Sequence, residues 1–208
     1  MRQKVLAVIV ARSQSSRLPG KAMASLAGEP AVAHLLRRVL RAKDAGSVDS
    51  IAFCTTKEAS DDALAEFVSD FPVNIYRGEV EDVLSRMMLA VNDFNDHDVV
   101  LRITGDDVLI DAFYLAETVK HHLSTNAHYT DAKGLPSGTE VEVFDATALQ
   151  LILELSKDSS GTEYLTNYIV DNSDQFKTSS LPVPERHNLN YRLTIDTSED
   201  FSLVSSML

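Results

Sequence analysis

The chain has 208 residues, 44% hydrophobic and 24% charged, with a formal net charge of −12 and a single cysteine. That size and composition fit one soluble globular domain with a sizeable core, and one cysteine excludes an internal disulfide framework. An acidic balance of this size argues against nonspecific nucleic-acid binding and against docking on an anionic membrane surface.

Residues 5–10 are apolar and read as a buried first strand; the run is too short for a signal peptide or a membrane span, so a cytoplasmic protein is expected. The loop that follows carries Arg12, Arg17 and Lys21 among Ser and Gly residues. It belongs to a basic segment, residues 1–43, in which nine Lys or Arg stand against Glu29 alone. A loop at the carboxyl end of the first parallel strand is where open α/β sheets bind ligands. Guanidinium forks, an ammonium and backbone N–H groups in such a loop suit a polyphosphate. Arg37, Arg38, Arg41 and Lys43 lie within a predicted helix and read as its solvated face.

That helix covers residues 30–43, with Val32, Leu35, Leu36, Val39 and Leu40 on one face. A strand over 51–55 contains Cys54, read as a small buried hydrophobe. A helix over 60–70, a short strand over 73–76, a helix over 81–94, a strand over 99–103 and a helix over 112–123 follow. Strictly alternating strands and helices predict a mainly parallel sheet with helices on both faces, a Rossmann-like α/β fold. The turn-rich stretch 133–138 interrupts the alternation. Beyond it come an alternating strand over 139–144, helices over 146–155 and 162–171, and strands over 176–181 and 191–195. A last helix begins near Ser198. Residues 130–190 are expected to form a small β-containing excursion from a single domain spanning 1–208.

Asp106 and Asp107 leave the strand over 99–103, and Asp196 ends the strand predicted over 191–195. Carboxylates past strand ends face the same crevice as the basic loop, and that grouping holds Mg²⁺ against a polyphosphate. Asp196 is equally placed to cap the last helix, Asp107 to sit in a turn, and Asp111 to cap the helix over 112–123. His121 and His122 point in different directions on a helix, so no zinc spacing is present. The chain lacks a Gly-x-Ser-x-Gly elbow and a Gly-x-Gly-x-x-Gly turn, and Gly20-Lys21 is followed by Ala22 rather than Ser or Thr. Serine hydrolases, dinucleotide oxidoreductases and P-loop ATPases are disfavoured.

Residues 11–21, Ala-Arg-Ser-Gln-Ser-Ser-Arg-Leu-Pro-Gly-Lys, resemble the signature loop of the cytidylyltransferases that make CMP-activated sugars, such as the CMP-Kdo and CMP-sialic acid synthetases. Tyr76-Arg77-Gly78, Glu81-Asp82-Val83-Leu84, Arg102-Ile103-Thr104-Gly105-Asp106, Val141-Glu142-Val143-Phe144 and the segment 192–200 resemble the spore coat polysaccharide branch of that group, in the same order. The resemblance implies Mg²⁺-dependent transfer of a cytidylyl group from CTP to a sugar or sugar acid. Arg12, Arg17 and Lys21 would act on the triphosphate, with Ser16, Arg77 and Asp106 also at the nucleotide. Asp106 and Asp196 would hold the metal. It also implies a homodimer, with residues 130–190 serving the acceptor and the dimer contact. Tyr164, Leu165, Tyr168 and Ile169 lie at helical spacing and read equally as a face for that contact or as packing inside the monomer. No nucleic acid or membrane partner is implied. The acceptor half departs from the pattern. Asp107-Val108-Leu109-Ile110-Asp111 stands where the group carries Cys-Pro-Leu-Ile-Asp, and Gly161-Thr162-Glu163-Tyr164 where it carries an Arg-Glu-His block. Transfer of another nucleotide, another acceptor such as a polyol phosphate or an aminophosphonate, and a binding protein without turnover are the other readings.

Overall fold

The computed structural model describes residues 2–15, 17–155 and 165–208. Strand β1 (Val5–Val10) lies in the interior of the sheet, as its apolar residues on both faces require. It pairs in parallel with β4 (Ser50–Thr56) on one side and with β6 (Val99–Thr104) on the other. Strand β5 (Asn74–Gly78) adds in parallel outside β4.

Alternation along these strands splits the core in two. Val5, Ala7, Ile9, Ile51, Phe53, Val99 and Leu101 face a layer that holds helices α1 (Ala31–Asp44), α2 (Asp62–Val68) and α4 (Ala112–Thr125). Leu6, Val8, Ala52, Cys54 and Val100 face α3 (Val83–Asp93), α5 (Ala146–Leu155) and α6 (Leu165–Asp171). Burial pushes the Cys54 thiol up to about 12, which suits a packing role. Among the described residues, no helix is long and apolar enough to cross a membrane. The predicted α/β architecture is present, with helices on both faces.

Past α4 the chain leaves the parallel winding but stays in the sheet. Strand β8 (Glu142–Asp145) runs antiparallel to β6, β7 (Tyr129–Asp131) antiparallel to β8, and β9 (Thr178–Ser180) parallel to β7. The order β5-β4-β1-β6-β8-β7-β9 makes seven strands. Leu165 and Ile169 on α6 are buried in the second core layer, so they do not form an exposed dimer face. Ser16, Tyr164 and the segment 161–164 lie outside the described residues.

Two local expectations are corrected. Residues 191–195 are not a strand: the segment makes one isolated bridge, Ser137 to Arg192, and Tyr191 is 60% exposed. The alternation of Tyr191, Leu193 and Ile195 has another cause. Leu193 and Ile195 pack into a third small core with Leu26, Val108, Leu109 and Val204 of α7 (Ser198–Met207). The hairpin of β2 (Ser25–Leu26) and β3 (Glu29–Pro30) was not foreseen; its turn places Ala27 and Gly28 at φ of 50° and 89°, the paired positive values of a tight hairpin.

Gly138 pins the 193–196 segment. Its φ is +93°, and a Cβ there would stand 2.3 Å from the Thr194 nitrogen. Leu193 N–H donates to Ser137 O at 2.6 Å, so the two backbones cannot separate freely. Gly138→Ala is expected to cost roughly 2–3 kcal/mol, from the disfavoured φ and the overpacking together. A shift in the urea midpoint reads this out, and an unchanged midpoint would show that the turn yields.

Candidate active site

The chain steps from β1 to β4 and β5 on one side, then returns to β6 on the other. The carboxyl ends of β1 and β6 therefore flank the switch point of the sheet, where a crevice must open. An open cleft of about 990 Å³ lies there, lined by the loop after β1, the loop after β6, the start of α3 and Asp196. Gly105 lets the two loops touch. Its N–H donates to Val10 O at 2.8 Å, and a Cβ would stand 2.4 Å from the Ala11 Cβ.

Lys21 stands at the centre. Its Nζ donates to Asp106 Oδ2 at 2.7 Å and to Asp196 Oδ1 at 2.9 Å. Arg17 Nη2 lies 3.1 Å from Asp196 Oδ2, and Arg192 Nη2 donates to the same oxygen at 2.5 Å. Burial alone would raise Asp196, but Lys21 above all, with Arg192, holds its carboxyl at about 2. Burial likewise opposes the charge of Lys21, and Asp106 and Asp196 overcome it and raise its ammonium. Arg12 lines the same cleft, its Nη1 3.9 Å from Glu81 Oε1.

Asp196 does not cap the last helix. Thr197 is the N-cap of α7 and forms a capping box with Asp200. Asp200 Oδ2 accepts from the backbone N–H of Asp196 and Thr197 at 3.1 and 3.0 Å, and its carboxylate takes Arg192 Nε at 3.1 Å. Ile195 N–H donates to Asp106 O at 3.0 Å. The cap thus fixes the backbone of Asp196, and its side chain is left to the cleft. Asp111 is a helix cap as expected, accepting from Phe113 and Tyr114 N–H.

Of the residues expected at the site, Arg12, Arg17, Lys21, Asp106 and Asp196 line one cleft. Arg77 does not line it. Its Nε donates to Thr56 O at 2.8 Å and its Nη2 to Asp62 Oδ1 at 2.6 Å, which ties β5 to the start of α2. Asp107 turns away to a neighbouring cavity, where burial first and Asp106 second raise it to about 7.

Two residues escaped sequence reasoning. Asp61 occupies the N-cap position of α2 but makes no capping bond. It is 1% exposed, and it accepts from Ser13 N–H at 2.6 Å, Thr55 Oγ1 at 3.0 Å and Thr56 N–H at 3.1 Å, with Thr56 Oγ1 as a further donor. It is the anchor of the basic loop, and Gly20 N–H closes that loop onto Ser13 O at 2.8 Å. Arg86 is buried in the wall of the cleft and donates from Nη1 to Glu79 O at 2.8 Å. The only signal was a cation on the apolar face of α3, between Val83 and Met87.

Two carboxylates from separate chain segments converge here on one ammonium. Mg²⁺ takes one or two protein carboxylates and fills its shell with substrate oxygens and water, so Asp106 and Asp196 fit that ion. No group of three or more His, Cys, Asp or Glu that could hold a metal occurs among the described residues.

The family model described as cytidylyltransferase matches residues 6–206. An uncharacterized protein of Methanocaldococcus jannaschii is 34% identical over 96% of this chain and 81% of its own. The spore coat polysaccharide biosynthesis protein SpsF of Bacillus subtilis is 29% identical over 98% of this chain and 85% of its own. The solved structure of a cytidylyltransferase from Leptospira borgpetersenii superposes with a TM-score of 0.89 at 28% identity, covering 99% of this chain and 86% of that one.

Proposed function

The chain belongs to the cytidylyltransferase family, and we propose that it transfers the cytidylyl group of CTP to a hydroxyl of a sugar or sugar acid, with Mg²⁺, for surface polysaccharide synthesis. The observation that carries the reading is Lys21, held between Asp106 and Asp196 at the switch point of the sheet. A cation and two carboxylates at one place are the parts needed to bind a triphosphate and its metal together.

In the free chain, Lys21 and Arg17 neutralise the carboxylates. With CTP bound, Arg12, Arg17 and Lys21 would turn to the phosphates, and Asp106 and Asp196 would hold the metal. The bound ion would supply charge neutralisation at the phosphates. The acceptor oxygen attacks the α-phosphorus, and a new P–O bond forms. The α–β bridging P–O bond breaks, pyrophosphate leaves with its electron pair, and the hydroxyl proton passes to water. Such chemistry needs positioning and charge rather than a protein nucleophile, in keeping with a cleft that presents no Ser-His or Cys-His pair among its lining residues. The same reading takes the protein as a cytoplasmic homodimer, and a strictly monomeric mass in light scattering at micromolar protein would remove the dimer.

Charge-assisted contacts to phosphate are worth about 1.5–3 kcal/mol each. Lys21→Ala and Arg17→Ala are each expected to weaken CTP binding by about tenfold or more in calorimetry. Unchanged affinity in both variants would sink the assignment of the loop. Comparison of the four nucleoside triphosphates in the same assay tests the base.

A further inference from the structure

The two carboxylates that suit a metal are already engaged in the free chain. Lys21 Nζ donates to Asp106 Oδ2 at 2.7 Å and to Asp196 Oδ1 at 2.9 Å, so one ammonium holds an oxygen of each. The other oxygen of Asp196 takes Arg192 at 2.5 Å and Arg17 at 3.1 Å. The side chains at the centre keep little exposure, 15% for Lys21, 21% for Asp106 and 12% for Asp196, so their attraction is weakly screened.

The charge of the cleft acts in the same direction. Five Lys or Arg side chains line it against three carboxylates, Glu81, Asp106 and Asp196, in a chain whose net charge is −12. Arg102, one of the five, pairs with Glu142, and the lining still keeps a cation in excess. A divalent ion arriving alone meets this positive lining and must shed part of its own water shell. It must also expel the ammonium, and the one other carboxylate of the lining, Glu81, is 78% exposed beside Arg12. A polyphosphate arriving alone meets the opposite conditions. The lining attracts it, and its oxygens offer Lys21 and Arg17 new anionic partners. Lys21 is the part able to move, a point charge on a flexible four-carbon stem. Asp196 is not, because Asp200 holds its backbone N–H.

Resting on the nucleotidyl-transfer reading above, we propose that Lys21 is the resident counter-ion of the Asp106–Asp196 pair. Its ammonium keeps a free divalent cation out until a nucleotide polyphosphate draws it away, so the nucleotide enters before the metal or together with it. One side chain thereby serves two partners in turn, the carboxylates in the free chain and the phosphates in the complex. The exchange couples the two ligands. Nucleotide binding removes the competitor for the carboxylates, and by linkage the metal strengthens nucleotide binding by the same factor.

Mn²⁺ is the probe, followed on the whole chain without nucleotide by the electron paramagnetic resonance signal of the free ion. Lys21→Met, which keeps an unbranched stem without the charge, is expected to bind Mn²⁺ about tenfold or more tightly than wild type, the size of one charge-assisted contact. Adding Asp106→Asn to Lys21→Met should abolish that gain, which locates the ion at the carboxylate pair. If Lys21→Met does not fold, Lys21→Gln takes its place, since its amide still donates to one of the two carboxylates. On wild type itself, calorimetry in excess EDTA should still show CTP binding, because the ammonium needs no metal to reach a phosphate. Equal Mn²⁺ affinity in wild type and a folded Lys21 variant, a gain that survives Asp106→Asn, or CTP binding that vanishes in EDTA while present with Mg²⁺ would overturn the proposal. Failure of the nucleotidyl-transfer reading looks different: the Mn²⁺ gain on losing Lys21 persists, while CTP fails to bind with or without metal.

Discussion

Asp196→Asn is expected to lower nucleotidyl transfer by about 10²–10³-fold, the loss seen when one preorganised charge is removed from a reacting centre. Stability should fall by roughly 2 kcal/mol, the size of the depression that holds the carboxyl at about 2, and features around the residue keep the loss from being larger. Arg17 and Arg192 are 63% and 50% exposed, so their pairs with Asp196 are well screened, and Lys21 keeps Asp106 as a partner. Thr197 and Asp200 cap the helix independently of the residue 196 side chain. A readout that needs no acceptor is the Mg²⁺ dependence of CTP affinity. Wild type should bind CTP more tightly with Mg²⁺, and Asp196→Asn and Asp106→Asn should each lose most of that gain. A variant that folds and retains the full gain would assign its carboxylate to bracing Lys21 alone.

The parallel part of the fold was legible because each of its elements carries one clear period. Residues 5–10 are apolar on both faces, and α1 repeats its apolar residues at helical spacing, so their bounds fall within a residue of those expected. The late segments carry mixed signals. Strand β7 is three residues long, too short for any period, and exists through its neighbours β8 and β9. Residues 191–195 alternate as a strand does, yet their alternation serves a loop lying on the third core. At the site, three cations in one loop and an acid past a strand end pointed to Arg12, Arg17, Lys21 and Asp106, which line one cleft; Asp196 lines it too, although the strand expected before it is a loop. Arg77 shows the limit of that logic: a cation near a strand end can equally be spent on backbone carbonyls, and only the fold decides. Asp61 shows the converse. Its sequence context is that of a helix start, and its partners Ser13, Thr55 and Thr56 become neighbours only once β1 and β4 lie side by side.

Removing Asp61 should therefore cost stability and function together. Its carboxylate accepts the Ser13 and Thr56 N–H groups, and each donor left buried and unpaired costs about 1–3 kcal/mol. Asp61→Ala is expected to destabilise by about 3–5 kcal/mol in urea unfolding and to weaken CTP binding, since Ser13 no longer fixes the entry of the basic loop. Asp61→Asn retains one acceptor oxygen but turns an amide N–H₂ toward a donor, so it should fall between the two. The pH dependence follows from the same contacts. Burial would raise the Asp61 carboxyl, but the hydrogen bonds from Thr56, Ser13 and Thr55 prevail and hold it below its ordinary value of 3.8. A carboxyl lowered in the folded state contributes stability that is present above its unfolded value and is lost as pH falls through its folded value. Wild type should accordingly lose part of its stability on acidification below 3.8, and that part of the acid limb should be missing in Asp61→Asn. Urea midpoints measured from neutral pH down to pH 3 for both proteins give the comparison. Parallel acid limbs would show that Asp61 does not carry this dependence, and a folded Asp61→Ala variant with normal CTP affinity would show that the loop keeps its shape without the anchor.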